Sequence, residues 1–271
     1  MNYITDKVIT DRFTMEYMRF GDGRKSLVIL PGLSVQSVMP FAPNIVRQYK
    51  CFTNDFTVYL FDRRLVLPSS YNISQMAEDT ISAFEELGLS DIYLFGVSQG
   101  GMIAMTIAAE HPELVKRLAL CSTAMRVDEV RFEVIRKWIS LAEARNREGL
   151  FLTMAEDIFP AEFISTIEGE FVRLSRTVTD EELRHFIILA RGIHGFDLTN
   201  RADSIKCPVQ FSYDENDKVL GTDSASELIA LLGSHQGFIQ KTFNGSGHAL
   251  YDIAPDFGDW LYSFFIKNHG S

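Results

Sequence analysis

Three cysteines are few for 271 residues, and their placement excludes two classes of protein. Cys51, Cys121 and Cys207 are odd in number and widely spaced, so neither a disulfide framework nor a Cys-x-x-Cys metal or redox motif is expected. Cys121 and Cys207 lie in apolar, strand-like runs, which predicts that they are buried as small apolar side chains. A reducing cytoplasm is therefore the expected location.

Long apolar runs are also missing. No segment approaches the ~18 apolar residues of a membrane helix, and residues 1–10 lack the apolar stretch of a signal peptide. Neither membrane insertion nor a secretory leader is expected. The sequence has no repeat, no low-complexity tract and no linker that would mark an independent domain.

Basic residues are fewer than acidic ones. The chain has 26 Lys and Arg residues and 36 Asp and Glu residues, which gives a net charge of −10. Nucleic acids and anionic membrane surfaces are not expected as partners, since their phosphates attract basic surfaces. What the chain does have is apolar residues, 46% of the total, enough for one large core in a single domain. The composition leaves a homodimer open.

Short, wholly apolar runs recur along the chain and end at glycine, proline or polar residues, which is typical of strands buried on both faces. These runs are residues 26–30, 56–61, 91–96, 115–121 and 208–213. Helical patterns separate them, at residues 73–87, 102–110, 224–232 and 256–267. Residues 8–10 and 13–20 predict an N-terminal hairpin. Alternating strands and helices predict a parallel sheet with right-handed crossovers.

One long segment breaks this alternation. Residues 128–200 contain no convincing strand, and they are too many for a loop. Apolar spacing predicts helices at residues 132–142, 163–167, 170–174 and 181–190. The segment is therefore predicted to be a helical insertion.

A serine flanked by glycines follows one of the predicted strands. Gly-Val-Ser-Gln-Gly-Gly at 96–101 lies between an apolar run and a helical pattern. A sharp strand–turn–helix strains the backbone of its central residue, and side chains two positions away would collide, which explains the glycines. The pattern predicts a nucleophile elbow with Ser98 at its apex. An ordinary glycine-rich turn is the alternative.

A serine hydroxyl needs a base to become a nucleophile at neutral pH. His248 lies in a polar, glycine-rich loop after a strand-like segment, where it could reach across the strand ends. The other five histidines fit less well because they lie in helices, a turn or the C-terminal tail; they are His111, His185, His194, His235 and His269. A surface-loop histidine is the alternative for His248.

The base in turn needs a carboxylate to orient it. Asp214, Glu215 and Asp217 compete for this role after the strand at 209–213. Asp217 is favoured because it lies beyond the strand end, where the loop turns back over the sheet. Asp214 stays open, because turn residues often use their carboxylates for local hydrogen bonds.

Two backbone N–H groups should point at the oxyanion that forms when a carbonyl is attacked. Gln99, directly after the serine, supplies one of them. Leu33 is expected to supply the other from the turn that follows the strand at 27–30, where Gly32 allows the backbone to approach closely. An ordinary Pro-Gly turn is the alternative.

In the order Ser98, Asp217, His248, the chain resembles the α/β-hydrolase superfamily in its single-domain form with a helical cap. The motifs that carry the resemblance are Leu-Pro-Gly at 30–32, the elbow at 96–101, Asp-Lys-Val at 217–219 and Gly-His at 247–248. The resemblance spans residues 13–266. It implies an eight-stranded, mostly parallel sheet flanked by helices, with a core of residues 1–127 and 201–271. A cap of residues 128–200 would follow the sixth strand.

The same resemblance implies a serine hydrolase of the esterase type, without metal or organic cofactor, that cleaves a small, partly apolar acyl substrate. The aromatic residues of the insertion could contact such a substrate or only pack; they are Phe132, Trp138, Phe151, Phe159 and Phe163. Serine at the apex disfavours the branches that use an aspartate nucleophile, and Gln99 differs from the tryptophan of the iminopeptidases. Pro31 stands where many members have histidine, and Asp-Arg-Arg at 62–64 lacks the usual following glycine.

Several other activities use the same three residues, since a fold does not fix the chemistry. Lactonase, thioesterase, C–C hydrolase, aminopeptidase and acyltransferase activities stay open. A small-ligand receptor with an idle triad is the alternative from outside catalysis.

Overall fold

A central sheet of eight strands organises residues 2–267, the part of the chain that this computed structural model describes. The strands are β1 (Tyr3–Ile9), β2 (Thr14–Phe20), β3 (Lys25–Leu30), β4 (Phe56–Arg64), β5 (Ile92–Val97), β6 (Val115–Cys121), β7 (Val209–Asp214) and β8 (Ile239–Phe243). Their order across the sheet is β1-β2-β4-β3-β5-β6-β7-β8. The β1–β2 and β2–β4 pairs are antiparallel and the other pairs are parallel. The expected eight-stranded, mostly parallel sheet is confirmed.

Ten α-helices lie in the described residues. They are α1 (Ala42–Gln48), α2 (Ile73–Glu86), α3 (Gln99–Glu110), α4 (Glu133–Glu143), α5 (Arg147–Ile158), α6 (Ala161–Ser175), α7 (Asp180–Arg191), α8 (Gly221–Leu232), α9 (Leu250–Ile253) and α10 (Phe257–Ile266). The start of α2 has the capping box that its sequence indicates, since the side chains of Asn72 and Gln75 bond to each other's backbone N–H. None of the helices in residues 2–267 is both long and apolar enough to cross a membrane.

The central strands β3, β5, β6 and β7 are buried on both faces. Along β3, Leu27 and Ile29 pack into a cluster with α1 and α10, whereas Val28 and Leu30 pack into the larger cluster with α2 and α3. Successive side chains of a strand point to opposite faces, so a strand covered on both sides reads as a continuous apolar run. Cys121 and Cys207 are buried as predicted.

The hairpin at the N-terminus is confirmed, but β1 begins at Tyr3 rather than at residue 8. β1 is an edge strand whose side chains are exposed except for Val8. Without a buried face, residues 3–7 carry no apolar alternation from which a strand could be predicted.

Four helices, α4 to α7, lie between β6 and β7, which places the predicted helical insertion after the sixth strand. The helices expected at 163–167 and 170–174 are one continuous helix, α6, which has Gly169 in its interior. Helix α5 was not predicted, because apolar and polar residues are mixed around its circumference. The division into a core of 1–127 and 201–271 and a cap of 128–200 stays a prediction.

Candidate active site

Ser98 lies at the sharp turn between β5 and α3. Its backbone has φ 52° and ψ −119°, a conformation that residues other than glycine rarely adopt. The Ser98 N–H donates to the Cys121 carbonyl at 2.9 Å, and its own carbonyl accepts from the Thr123 hydroxyl at 2.8 Å. These bonds to the end of β6 hold the strained residue in place.

The glycines around Ser98 are required by close backbone contacts. A Cβ atom on Gly96 would lie 2.5 Å from the Gly100 carbonyl oxygen, and one on Gly100 would lie 2.0 Å from the Leu30 carbonyl oxygen. A Cβ atom on Gly101 would lie 2.6 Å from the side chain of Thr123. The turn is therefore as tight as the elbow pattern predicts.

The loop after β8 brings His248 to Ser98. His248 Nε2 lies 3.0 Å from Ser98 Oγ, and the residue is only 5% exposed. Its short 3-10 turn begins at Gly247, which has φ 58°. Four other histidines contact different groups: His111 lies against Glu113, His185 against Glu181, His194 against Glu129 and His235 against the Ile205 carbonyl. His269 lies outside the described residues.

Asp217 is the carboxylate that reaches His248. Its Oδ2 lies 2.8 Å from His248 Nδ1, and its Oδ1 accepts from the N–H groups of Val219 and Leu220 at 2.8 and 3.1 Å. Asp214 instead accepts from the N–H groups of Asn216 and Ser246, both at 2.7 Å. The two carboxylates thus have separate partners, and only Asp217 of the two contacts the histidine in the described structure.

The surroundings of Asp217 favour its charged form. Burial raises the pKa of this carboxyl, but the charge and hydrogen bond of His248 and the N–H groups of Leu220 and Val219 outweigh burial and lower its pKa. An ionised carboxylate only accepts hydrogen bonds, so Nδ1 of His248 carries the proton that it shares with Asp217. In neutral His248, Nε2 then presents a lone pair to the Ser98 hydroxyl.

The turn after β3 lies against the nucleophile. A Cβ atom on Gly32 would be 3.3 Å from Ser98 Cβ. The next N–H group, that of Leu33, donates no hydrogen bond within residues 2–267. Gln99 is the first residue of α3, and a helix leaves its first N–H groups without an intrahelical acceptor. Both predicted oxyanion donors are therefore available, although their catalytic use stays a prediction.

A cavity of about 320 Å³ lies between this turn and the helical insertion. Its lining is mostly apolar and combines residues 33–38, Phe41, Phe151, Met154, Ile158, Phe159, Phe171, Leu174, Tyr251 and Asp252. Phe151 and Phe159 were named from the sequence as possible substrate contacts, whereas Phe171 and Leu174 were not. Their spacing on α6 is the signal that could have indicated them.

Three other aromatic residues of the insertion pack instead of lining this cavity. Phe132 lies edge-on to the His194 ring at 4.8 Å between ring centres. The Trp138 indole N–H donates to Asp157 at 2.8 Å, and Phe163 stacks on Phe159 at 5.5 Å. Ordinary packing, which the sequence left open, accounts for their positions.

Within residues 2–267, no group of three or more His, Cys, Asp and Glu side chains is placed to hold a metal ion.

Comparisons with known proteins agree with the fold of the chain. A sequence model of the family described as alpha/beta hydrolase fold matches residues 25–166, just over half of the chain. The chain is 23% identical over 257 residues to a protein of Caulobacter vibrioides named "Putative carbamate hydrolase RutD", covering 89% of this chain and 90% of that protein.

Two solved structures share the fold at 18% sequence identity. One is MGS-M2, an alpha/beta hydrolase enzyme from a Medee basin deep-sea metagenome library, with a TM-score of 0.86 over 98% of this chain and 99% of that one. The other is the enol-lactonase from Burkholderia xenovorans LB400, with a TM-score of 0.82 over 97% of this chain and 100% of that one. The chain belongs to the α/β-hydrolase fold family, and it is a hydrolase enzyme.

Proposed function

We propose that this hydrolase is a serine esterase that cleaves a small carboxylic ester with an apolar acyl group through an acyl-enzyme. The observation that carries the proposal is the chain of contacts from Asp217 through His248 to Ser98, at 2.8 and 3.0 Å. A nucleophile, a base and an orienting carboxylate in hydrogen-bond reach are what acyl transfer by serine requires.

The proposed reaction has two halves. Ser98 Oγ attacks the ester carbonyl while His248 Nε2 takes the hydroxyl proton, and the N–H groups of Leu33 and Gln99 stabilise the negative oxygen. The C–O bond of the ester then breaks, and His248 returns the proton to the departing alcohol. In the second half, His248 deprotonates a water that attacks the acyl-enzyme. The bond between the acyl carbon and Ser98 Oγ then breaks, and His248 returns the proton to Oγ, which releases the carboxylic acid and restores Ser98. Asp217 stays ionised and stabilises the protonated imidazole throughout.

The proposed role of residues 128–200 is that of a cap over the acyl cavity, with residues 1–127 and 201–271 as the catalytic core. Phe151 of α5, Phe171 of α6 and Phe159 between the two helices line the cavity, which supports this role. The insertion also contacts the loops that carry the triad, since Lys218 donates to the Glu156 carbonyl at 3.2 Å. A cap of this kind would exclude water and select the acyl group.

Other acyl bonds stay open as substrates. One similar protein is named for a carbamate and another for an enol-lactone, and both bonds have a carbonyl that a serine can attack. The three cysteines are free thiols, which supports the proposal of a cytoplasmic location.

A panel of p-nitrophenyl esters from acetate to decanoate, together with a lactone, a carbamate and a thioester, tests the proposal. Ser98→Ala should lower kcat by about four orders of magnitude or more, while Ser140→Ala, an exposed serine on α4, should leave it unchanged. A fluorophosphonate should label the wild-type protein at Ser98.

Turnover that survives in Ser98→Ala, or labelling at another residue, would contradict the serine mechanism. A wild-type protein that is folded yet neither labelled nor active on any substrate would instead favour the alternative of a small-ligand receptor with an idle triad.

A further inference from the structure

Arg63 is a buried cation beside the proposed oxyanion hole. It lies near the end of β4, the neighbour of β3 in the sheet, and the residue is 7% exposed. Its Nη2 donates to the Pro31 carbonyl oxygen at 2.9 Å and lies 3.3 Å from Gln99 Oε1. Pro31 is two residues before Leu33, so one guanidinium contacts both segments from which the oxyanion donors come.

The side chain of Gln99 extends this contact into the helical insertion. It is fully buried, and its Nε2 donates to the Leu189 carbonyl in α7 at 2.8 Å. A primary amide offers an acceptor at one atom and donors at the other, and both are used here. An apolar residue at position 99 would leave the guanidinium and the Leu189 carbonyl without these partners.

The charge of Arg63 has no carboxylate partner within 4.0 Å among the described residues. Its Nε has no hydrogen-bond partner there either, and burial lowers the pKa of its guanidinium because the charge of nearby Asp62 offsets only part of the effect. The next residue differs, because Arg64 pairs with Asp79 at 3.2 Å. A buried cation without a direct ion pair is unfavourable for stability, so a local structural role alone does not explain why the position is occupied by arginine.

We propose that Arg63 is a positioning residue that holds the turn at Pro31 and the first turn of α3 at the separation that the oxyanion requires. This inference rests on the proposed esterase function. Through the side chain of Gln99, the same contact ties both donor segments to α7. The Leu33 and Gln99 N–H groups are then fixed before substrate arrives, and a positive charge lies behind them when negative charge develops.

Loss of the contact should affect the transition state more than the bound substrate. The oxyanion forms only during the reaction, so misplaced donors lower kcat while KM changes little. We expect Arg63→Met to lower kcat on the best p-nitrophenyl ester by about 10- to 100-fold, the scale of a donor displaced by about 1 Å, with KM within about threefold. Arg63→Lys should recover part of the loss, because an ammonium can reach one of the two acceptors.

A double-mutant cycle distinguishes positioning from general destabilisation. Gln99→Leu keeps the backbone N–H and removes both side-chain bonds, so it should lower kcat by a similar factor. If the two residues act through one contact, Arg63→Met combined with Gln99→Leu should cost little more than either change alone. Arg64→Met is the matched control, because it breaks the pair with Asp79 and should lower the melting temperature without a selective loss of kcat.

The outcomes separate the two proposals. A wild-type protein without Ser98-dependent turnover or labelling overturns the proposed function and this inference with it. An active wild type in which Arg63→Met keeps its kcat, or in which the two changes multiply as independent losses, overturns the positioning role alone. If Arg63→Met does not fold, Arg63→Lys and Gln99→Leu decide the question by the same split between kcat and KM.

Discussion

Asp214 and Asp217 are three residues apart, and their contacts give them different roles. Asp217 is bound to His248, whereas Asp214 joins the N–H groups of Asn216 and Ser246 and so links the loops after β7 and β8. The first contact would orient the base, and the second only shapes the two loops. The choice between these two carboxylates is therefore a test of the proposed triad.

We predict that Asp217→Asn lowers kcat by about 10⁴-fold, because an amide favours the wrong tautomer of His248. Asp214→Asn should lower kcat by much less and should mainly reduce stability, since asparagine keeps one acceptor oxygen for the two N–H groups. Steady-state kinetics on one ester, with melting temperatures for both variants, compare them directly. A larger kinetic loss in Asp214→Asn would mean that the acid has been assigned to the wrong residue.

The effect of Asp217→Asn on stability should depend on pH. Because the folded pKa of Asp217 lies below its unfolded value, which is about 3.9, its charged form stabilises the fold above that pH. This contribution is lost as the pH falls through the folded pKa. Urea denaturation should therefore show a smaller stability difference between wild type and Asp217→Asn at pH 3 than at pH 7. A difference independent of pH would contradict the favourable contacts of the carboxylate.

Ser98, His248 and Asp217 can be chosen from the sequence because each lies in a short local pattern. Arg63 cannot be chosen in this way. Its partners are Pro31 and Gln99, each more than thirty positions away, and only the sheet order brings them together. In the sequence, Asp-Arg-Arg at 62–64 is noticeable only because the glycine that usually follows it in the family is missing.

At the scale of elements, wholly apolar strands and helices with a clear apolar stripe were predictable, and several other elements were not. Helix α2 combines an apolar stripe with a capping box, and both signals gave its start. Strand β1 buries only Val8, helix α5 has charged residues at both ends of its apolar stripe, and α6 carries an interior glycine that suggested two helices. Tertiary contacts therefore decide these elements where local propensity does not.

Replacement by alanine should change the unfolding free energy in opposite directions at Gly100 in the elbow and at Gly169 in α6. In Gly100→Ala the new Cβ would lie 2.0 Å from the Leu30 carbonyl oxygen, so backbone must move, and we predict a loss of at least about 2 kcal/mol in unfolding free energy. Gly169 is exposed, and such a Cβ there would meet no described atom within 4 Å beyond its neighbours and the backbone of its own helix. Gly169→Ala should raise the unfolding free energy by about 0.5–1 kcal/mol through helix propensity.

Urea denaturation of both variants measures this contrast. Equal effects of the two substitutions would show that the close approach of β3 to the elbow does not constrain residue 100.

At the scale of the whole molecule, the parallel sheet explains why distant residues meet. Leu33, Ser98, Asp217 and His248 follow β3, β5, β7 and β8, whose carboxyl ends lie at one edge of the sheet. Ligand sites of open α/β sheets lie at that edge, so the location of the site follows from the topology. The position of the cavity beside the site does not follow from the topology, because its lining comes mainly from a turn, the insertion and the segment at 251–252.

Phe171 is the residue of this cavity that best tests acyl selectivity. It lies on α6 and is edge-on to the rings of Phe151 and Phe159, at 6.0 and 5.9 Å between ring centres. Replacing it with alanine would lengthen the cavity toward α6. We therefore predict that Phe171→Ala raises the ratio of kcat/KM for octanoate over butyrate by about 10-fold, the value of two or three methylenes that gain partly buried contacts.

The control is Val172→Ala, which shortens the adjacent side chain on the same helix outside the cavity lining. It should leave the ratio of octanoate to butyrate unchanged, because it perturbs α6 without enlarging the cavity. Parallel kinetics with p-nitrophenyl butyrate and octanoate would measure both ratios. A ratio that is unchanged in Phe171→Ala while activity persists would place the acyl group elsewhere, and it would remove the main support for residues 128–200 as the cap that selects the substrate.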